Sequence, residues 1–218
     1  KLVKAMVDAG DVVVKASDTG NQAVSILDCM GMGSAGRDLC ITATAPETME
    51  IVGSVASETG EKKCSDVDIA VLMPDSLFSH KDFVSYRYFG KRALYLRHLA
   101  SCLFKVKSLA KNVKYEWLNN DALKPVVVAG VVIDGAALRL RFIPCASQNC
   151  FEVQKLHPYR NNIKGVHAAL PRPLDWRPVE STRVKMNENK ELVTPSYTHS
   201  IAEDVLMMVN CTYLRERC

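Results

Sequence analysis

Hydrophobic and polar positions sort this chain into a regular middle between two stretches that resist a simple reading. Met49 to Ala56 is apolar and β-capable. From Asp66 to Met73 the pattern alternates, with Val67, Ile69, Val71 and Met73 on one face and Asp66, Asp68, Ala70 and Leu72 on the other. Pro74 ends that strand, because proline brings no N–H to a ladder. A long helix is predicted from about Asp82 to Lys107: Val84, Tyr88, Tyr95, Leu99, Cys102 and Val106 recur at helical spacing and form one apolar stripe. Arg87, Lys91, Arg92, Arg97, Lys105 and Lys107 fill much of the remainder. Three further β segments follow, Val113–Leu118, Pro125–Ile133 and Ala137–Cys145, with Asp134-Gly135 as a tight hairpin turn between the last two.

The flanks read differently. In residues 1–48, Val12–Val14 and Ala23–Leu27 are short apolar stretches separated by the turn-like Ser17-Asp18-Thr19-Gly20-Asn21. Residues 156–195 hold Pro158, Pro171, Pro173, Pro178 and Pro195 and few periodic apolar positions. A connection so long and irregular usually binds something or packs across a neighbouring domain. Ser200 can cap a helix that starts at Ile201, with Glu203 and Asp204 favoured in its first turn by the helix dipole.

Composition adds bounds. The 218 residues are 48% hydrophobic and 24% charged, an ordinary globular balance. The net charge of +4 is compatible with RNA binding without demonstrating it. The chain opens Lys1-Leu2-Val3-Lys4 without a methionine and stops at Cys218, which suggests a piece of a longer protein. Eight cysteines form no CxxC pair, so the spacing argues against structural zinc. Cys102 and Cys145 lie in apolar runs, where a free cysteine packs as a small hydrophobe and points to a reducing compartment. The apolar runs are too short for a membrane span.

The chemistry lies in Gly53-Ser54 followed by Asp66-Val67-Asp68. Two-metal nucleotidyl transfer uses carboxylates to hold paired Mg²⁺ ions against the attacking and leaving oxygens. Asp66 and Asp68 alternate on one strand and so face one site. Gly53, lacking a side chain, lets backbone approach a phosphate. The third carboxylate belongs on an adjacent strand. On Ala137 to Phe142 the polar face carries Arg139 and Arg141 and no acid; Asp134, in the turn, is too far along the strand to substitute. An arginine facing Asp66 and Asp68 would form a charge-assisted pair with them and offset the charge a metal otherwise supplies. A surface turn followed by an ordinary strand is the plainer alternative.

These residues resemble a known family. Asp66 to Pro74, Lys81-Asp82, Tyr86-Arg87-Tyr88-Phe89 and Lys91 to Leu96 are similar to the first, nucleotidyltransferase-like domain of the nucleolar RNA-associated protein (Nrap) family, also called nucleolar protein six. Lys155 to Asn162 and Thr194-Pro195-Ser196-Tyr197 extend the likeness; residues 1–48 contribute little. The resemblance implies an α+β fold, a nucleotidyltransferase-like mixed sheet with flanking helices, followed by the start of a helical domain of the poly(A)-polymerase type. The expected division is a poorly defined segment 1–48, a core over 49–155, a proline-rich connector over 156–195 and a helical start over 196–218. It also implies a catalytically dead scaffold of the small-subunit processome, in the nucleolus, with processome proteins and pre-rRNA or small nucleolar RNA as partners and no cofactor. Gly53, Ser54, Asp66, Asp68 and Arg139 are then a vestigial motif. Arg87, Lys91, Arg92 and Arg97 are the candidate RNA or partner surface, against the plainer reading of a solvated helix face.

Other readings are weaker. Gly31-Met32-Gly33-Ser34-Ala35-Gly36 matches GxGxxG, yet Glu50 begins the next β segment instead of ending it, as a dinucleotide site requires. His80, His98, His157, His167 and His199 are scattered, and no GxSxG occurs. Trp117 and Trp176 can stack on bases, though packing roles are commoner. An active Mg²⁺-dependent nucleotidyltransferase of the poly(A)-polymerase type is the competing function, and a free-standing RNA-binding module a third.

Overall fold

A computed structural model of the chain describes residues 2–17, 38–58, 66–84, 87–106, 112–118, 123–133 and 135–152. The expected connector over 156–195, the helix after Ser200 and the glycine-rich 31–36 lie outside these residues.

The centre of the fold is a mixed five-stranded sheet. Its strands are β3 (Thr48–Val52), β4 (Asp66–Leu72), β5 (Lys114–Trp117), β6 (Pro125–Ile133) and β7 (Ala136–Cys145), in the order β3-β4-β7-β6-β5. Only the β4–β7 pair is parallel; the other three are antiparallel. Ile133 pairs with Ala136, so β6 and β7 form the predicted two-residue hairpin, with Gly135 at φ +81°. The Met49–Ala56 segment is extended only in its first part, and the chain turns at Gly53-Ser54. Its strand ends at Val52, and Gly53–Ala56 form a short helix, α2. Gly53 sits at φ +71°, which turns the backbone out of the extended conformation.

The long helix, α3, spans Arg87–Lys105, shorter at its start than the apolar spacing predicts. Residues 81–84 are held in a turn instead. The buried Asp82 carboxylate accepts the Ser79 N–H at 2.8 Å and Lys91 Nζ at 2.7 Å, and the Asp82 carbonyl accepts the Tyr88 N–H. That carboxylate fixes the entry to the helix.

Thirteen of the 19 residues of α3 are buried. One apolar stripe cannot account for that, and the N-terminal segment does. Helix α1 (Leu2–Ala9) and the antiparallel pair β1 (Val12–Lys15) and β2 (Cys40–Ala43) also pack on α3. Residues 2–17 and 38–43, within the segment 1–48 expected to be poorly defined, thus add a second covering layer: Leu2, Met6, Val14, Ile41 and Ala43 join Val71, Met73, Tyr88, Leu96, Leu99, Val127 and Phe142 in one core. Each fully buried Leu or Phe of such a core contributes about 1.5–3 kcal/mol.

The two faces of the sheet differ. Ile69, Val71, Val127, Leu140 and Phe142 face α3, as the alternation predicts. The opposite face holds a smaller cluster of Val52, Ala70, Val126, Val128, Ile143 and Cys145. Farther along the same face the apolar residues give way to charge.

Candidate functional site: a carboxylate–arginine ladder on the sheet

Strand register builds the site. In the parallel β4–β7 pair, Asp66 lies beside Arg139 and Asp68 beside Arg141. Residues paired in this way point to the same side of the sheet, so two carboxylates and two guanidinium groups form a compact quartet. Arg139 Nη1 donates to Asp66 Oδ1 at 3.1 Å and Oδ2 at 2.9 Å. Arg141 donates through Nε to Asp68 Oδ1 and through Nη2 to Oδ2 at 2.8 Å, a two-pronged pair. The Asp68 hydrogen bond and the surrounding carboxylates raise the Arg141 pKa above its ordinary value, against a smaller opposing effect of burial.

A fifth member was not foreseen. Glu116, on β5, accepts Arg139 Nη2 at 2.9 Å and 2.8 Å, and Lys114 Nζ lies 2.7 Å from Glu116 Oε1. The Lys114 hydrogen bond is the largest influence on Glu116; with Arg139 it outweighs desolvation and holds this carboxyl below its usual range. Arg139 therefore bridges two acids on strands that do not touch each other. The available signal was the alternation of Lys114 and Glu116 with Tyr115 and Trp117. Assigning it to this face needed the β5–β6 register, which pairs Glu116 with Val126.

Gly53 belongs to the same group through β3, where Val52 pairs with Asp68. A Cβ on Gly53 would stand 3.1 Å from Asp68 Oδ2. The space left by the missing side chain is thus taken by the Asp68 carboxylate, where sequence reasoning reserved it for phosphate. Ser54 is exposed at the start of α2, and its carbonyl accepts the Ser57 hydroxyl at 3.5 Å. Gly53, Asp66, Asp68 and Arg139 come together; Ser54 flanks them. Among the described residues, no three His, Cys, Asp or Glu side chains converge in a way that could hold a metal ion.

The basic positions of α3 do not form one surface. Arg92 is fully buried, with Nη1 donating to the Pro125 carbonyl at 2.7 Å and Nε to the Pro144 carbonyl at 3.2 Å. The β6–β7 ladder ends at Val127 and Phe142, and its continuation would oppose Pro125 to Pro144. Neither proline has an N–H to give, and the Arg92 guanidinium supplies the donors in place of the ladder. Its membership of a partner surface is thereby corrected. Lys91 binds Asp82 and the Leu77 carbonyl. Arg97 donates to the Lys15 carbonyl at 3.1 Å. Arg87 is exposed and donates to the Lys81 carbonyl at 2.9 Å. Cys102 and Cys145 are buried free thiols, as the apolar context suggests, and no helix among the described residues is long and apolar enough to cross a membrane.

The fold and its site therefore define a mixed α/β domain with flanking helices, its charged face closed by an internal arginine–carboxylate ladder. The family described as Nrap protein domain 1 matches residues 37–218, and the chain belongs to this family. It is 31% identical over 163 residues to Nucleolar protein 6 of Xenopus tropicalis, covering 74% of this chain and 13% of that protein. It is 32% identical over 126 residues to Nucleolar protein 6 of Homo sapiens, covering 57% and 11%. It is 34% identical over 104 residues to U3 small nucleolar RNA-associated protein 22 of Schizosaccharomyces pombe, covering 44% and 9%. Among solved structures, a chain of the E. coli MS115-1 CdnC:HORMA-deltaN complex aligns over 67% of this chain and 41% of that one, at 18% identity and a TM-score of 0.29, a likeness too loose to assign a fold.

Proposed function

We propose that this chain carries a nucleotidyltransferase-like domain of the poly(A)-polymerase type that works without catalysis, as a scaffold of the small-subunit processome. In this reading a helical domain follows the core, and the protein acts in the nucleolus in pre-rRNA processing and small-subunit biogenesis. Its partners are processome proteins and pre-rRNA or small nucleolar RNA. The names of its relatives, Nucleolar protein 6 and U3 small nucleolar RNA-associated protein 22, support the nucleolar setting.

The observation that carries the non-catalytic reading is the pairing of Asp66 with Arg139 and of Asp68 with Arg141. A two-metal site needs carboxylate oxygens directed at cations. Here both aspartates already meet a permanent cation at hydrogen-bond distance, and Glu116 joins the group through Arg139. A metal ion would have to displace guanidinium groups tied into the ladder by charge-assisted bonds. The competing reading, an active nucleotidyltransferase, predicts Mg²⁺-dependent incorporation of nucleotides into an RNA primer by the purified chain. The scaffold reading expects none, together with recovery of U3 small nucleolar RNA on affinity-tagged full-length protein. Template-free incorporation that disappears on Asp66→Asn would overturn it.

A further inference from the structure

On the charged face of the sheet, Arg139 has Asp66 on one side and Gly130 on the other, because β6 pairs Gly130 with Arg139. A glycine inside a strand leaves no side chain to cover its cross-strand neighbour and often marks a place where a ligand approaches. A cavity of about 390 Å³ opens there, lined by Asn112, Val113, Lys114, Val128, Gly130 and Arg139. Its volume falls within the range of small-ligand sites, about 300–1,000 Å³.

The chemistry of the walls narrows the ligand. The Nη groups of Arg139 direct their hydrogens in the guanidinium plane to Asp66 and Glu116, which fixes the plane in place. The two flat faces of the group take no part in those bonds, and the side chain is 43% exposed. A fixed, flat cation stacks well on aromatic rings. Val113 and Val128 add apolar wall, and the Asn112 amide carries both a donor and an acceptor for the edge of a heterocycle. The formal charges nearby balance: Lys114 and Arg139 face Asp66 and Glu116. Both cations of the lining are already paired with carboxylates, which favours an uncharged ring over a bare phosphate.

We propose that the hollow between Gly130 and Arg139 is a stacking pocket for a single unpaired nucleobase of RNA. The ring lies against the Arg139 guanidinium in the space that Gly130 leaves, Asn112 meets its edge, and the exposed Lys114 sits at the rim, where the backbone of the same strand would pass. The choice of RNA over a free nucleotide rests on the ribonucleoprotein reading above; the pocket itself does not.

Gly130→Val tests this directly. It fills the hollow while adding a β-favouring residue to a strand, so thermal stability should hold or rise. Binding of a labelled oligo(A) of about ten nucleotides to the whole chain, followed by fluorescence anisotropy, should weaken roughly tenfold in the variant, the scale of one lost stacked base. An abasic oligomer of equal length should bind the parent chain as weakly as oligo(A) binds the variant. Asn112→Gly, which keeps the left-handed backbone of that position (φ +60°), should weaken oligo(A) by a smaller factor. Equal binding by parent and Gly130→Val, equal binding of the abasic strand, or no binding by the parent would each overturn the pocket. Adenosine monophosphate binding as tightly as oligo(A) would overturn RNA as the source of the ring. Nucleotide incorporation by the chain would defeat the scaffold reading and leave the Gly130→Val comparison intact.

Discussion

Arg141 stands directly across the parallel ladder from Asp68, and its Nη2 donates to Asp68 Oδ2 at 2.8 Å. One strand over, the carboxylate backs onto Gly53, whose missing Cβ leaves it room. The ladder is therefore tied to the turn that follows β3. Gly53→Ala should lose about 1–2 kcal/mol, from left-handed strain at φ +71° and from crowding of Asp68. Chemical denaturation measures it, and an unchanged midpoint would show that the turn relaxes freely.

Arg139 separates two acids. Arg139→Ala should cost only about 1 kcal/mol, since the pair is partly solvated. A second change, Glu116→Gln, should recover part of that loss by removing one of the two acids left without their bridge. A double-mutant cycle in urea reads the coupling; strict additivity would mean that the bridge contributes nothing.

Arg92 is the opposite case, a cation with no exposed surface. Arg92→Met preserves much of the volume and removes both donors from the Pro125 and Pro144 carbonyls. A loss of about 3 kcal/mol or more is expected, since each buried acceptor left without its donor costs about 1–3 kcal/mol. Arg92→Lys offers a point donor in place of a fork and should restore at most part of it. Stability of the Met variant equal to the parent would refute the bridging role.

Asp82 sets a pH dependence. Burial pushes its pKa up, but Lys91 and the Ser79 N–H outweigh burial and hold the carboxyl below its ordinary 3.8. A folded-state pKa lowered in this way contributes stability that is fully present above the unfolded value and is lost as pH falls through the folded value. The stability difference between the parent and Asp82→Asn should therefore be constant near neutrality and shrink once pH drops below about 4. Urea midpoints across that range decide it; a gap that persists unchanged at the lowest pH would place the effect elsewhere.

The cysteines should differ in reactivity. Cys40 is exposed, whereas burial, with the Asp75 carboxylate accepting its S–H at 3.1 Å, pushes the Cys150 thiol up to about 12. Among the four cysteines of the described residues, iodoacetamide at mildly alkaline pH should alkylate Cys40 first and leave Cys102, Cys145 and Cys150 largely unmodified in folded protein. Mass spectrometry of a time course tests the order.

Local patterns carried much of this fold. The alternation from Asp66 onward assigned both faces of β4, and Asp134-Gly135 marked the hairpin that aligns β6 with β7. The arginine face of β7 followed from the same two-residue period, and with it the prospect of pairing to Asp66 and Asp68. Charge on α3 was harder to read. Arg87, Lys91, Arg92 and Arg97 look alike by helical spacing, yet one is wholly buried and the others meet Asp82 or backbone carbonyls. Residues 2–15 and 40–43 show too short a periodicity to announce that they cover α3, because their apolar positions acquire meaning only against a helix far away in sequence.

The sequence by itself determined which side of β4 and of β7 is charged, since side chains alternate along any extended backbone. It determined that an arginine stands where a carboxylate was sought. Only the tertiary structure decided that Arg139 joins Asp66 to Glu116, that Gly130 leaves a hollow beside it, and that Arg92 completes a ladder broken by two prolines. Each of those depends on register between strands or on packing between layers. Both are set by long-range burial, which no local period encodes.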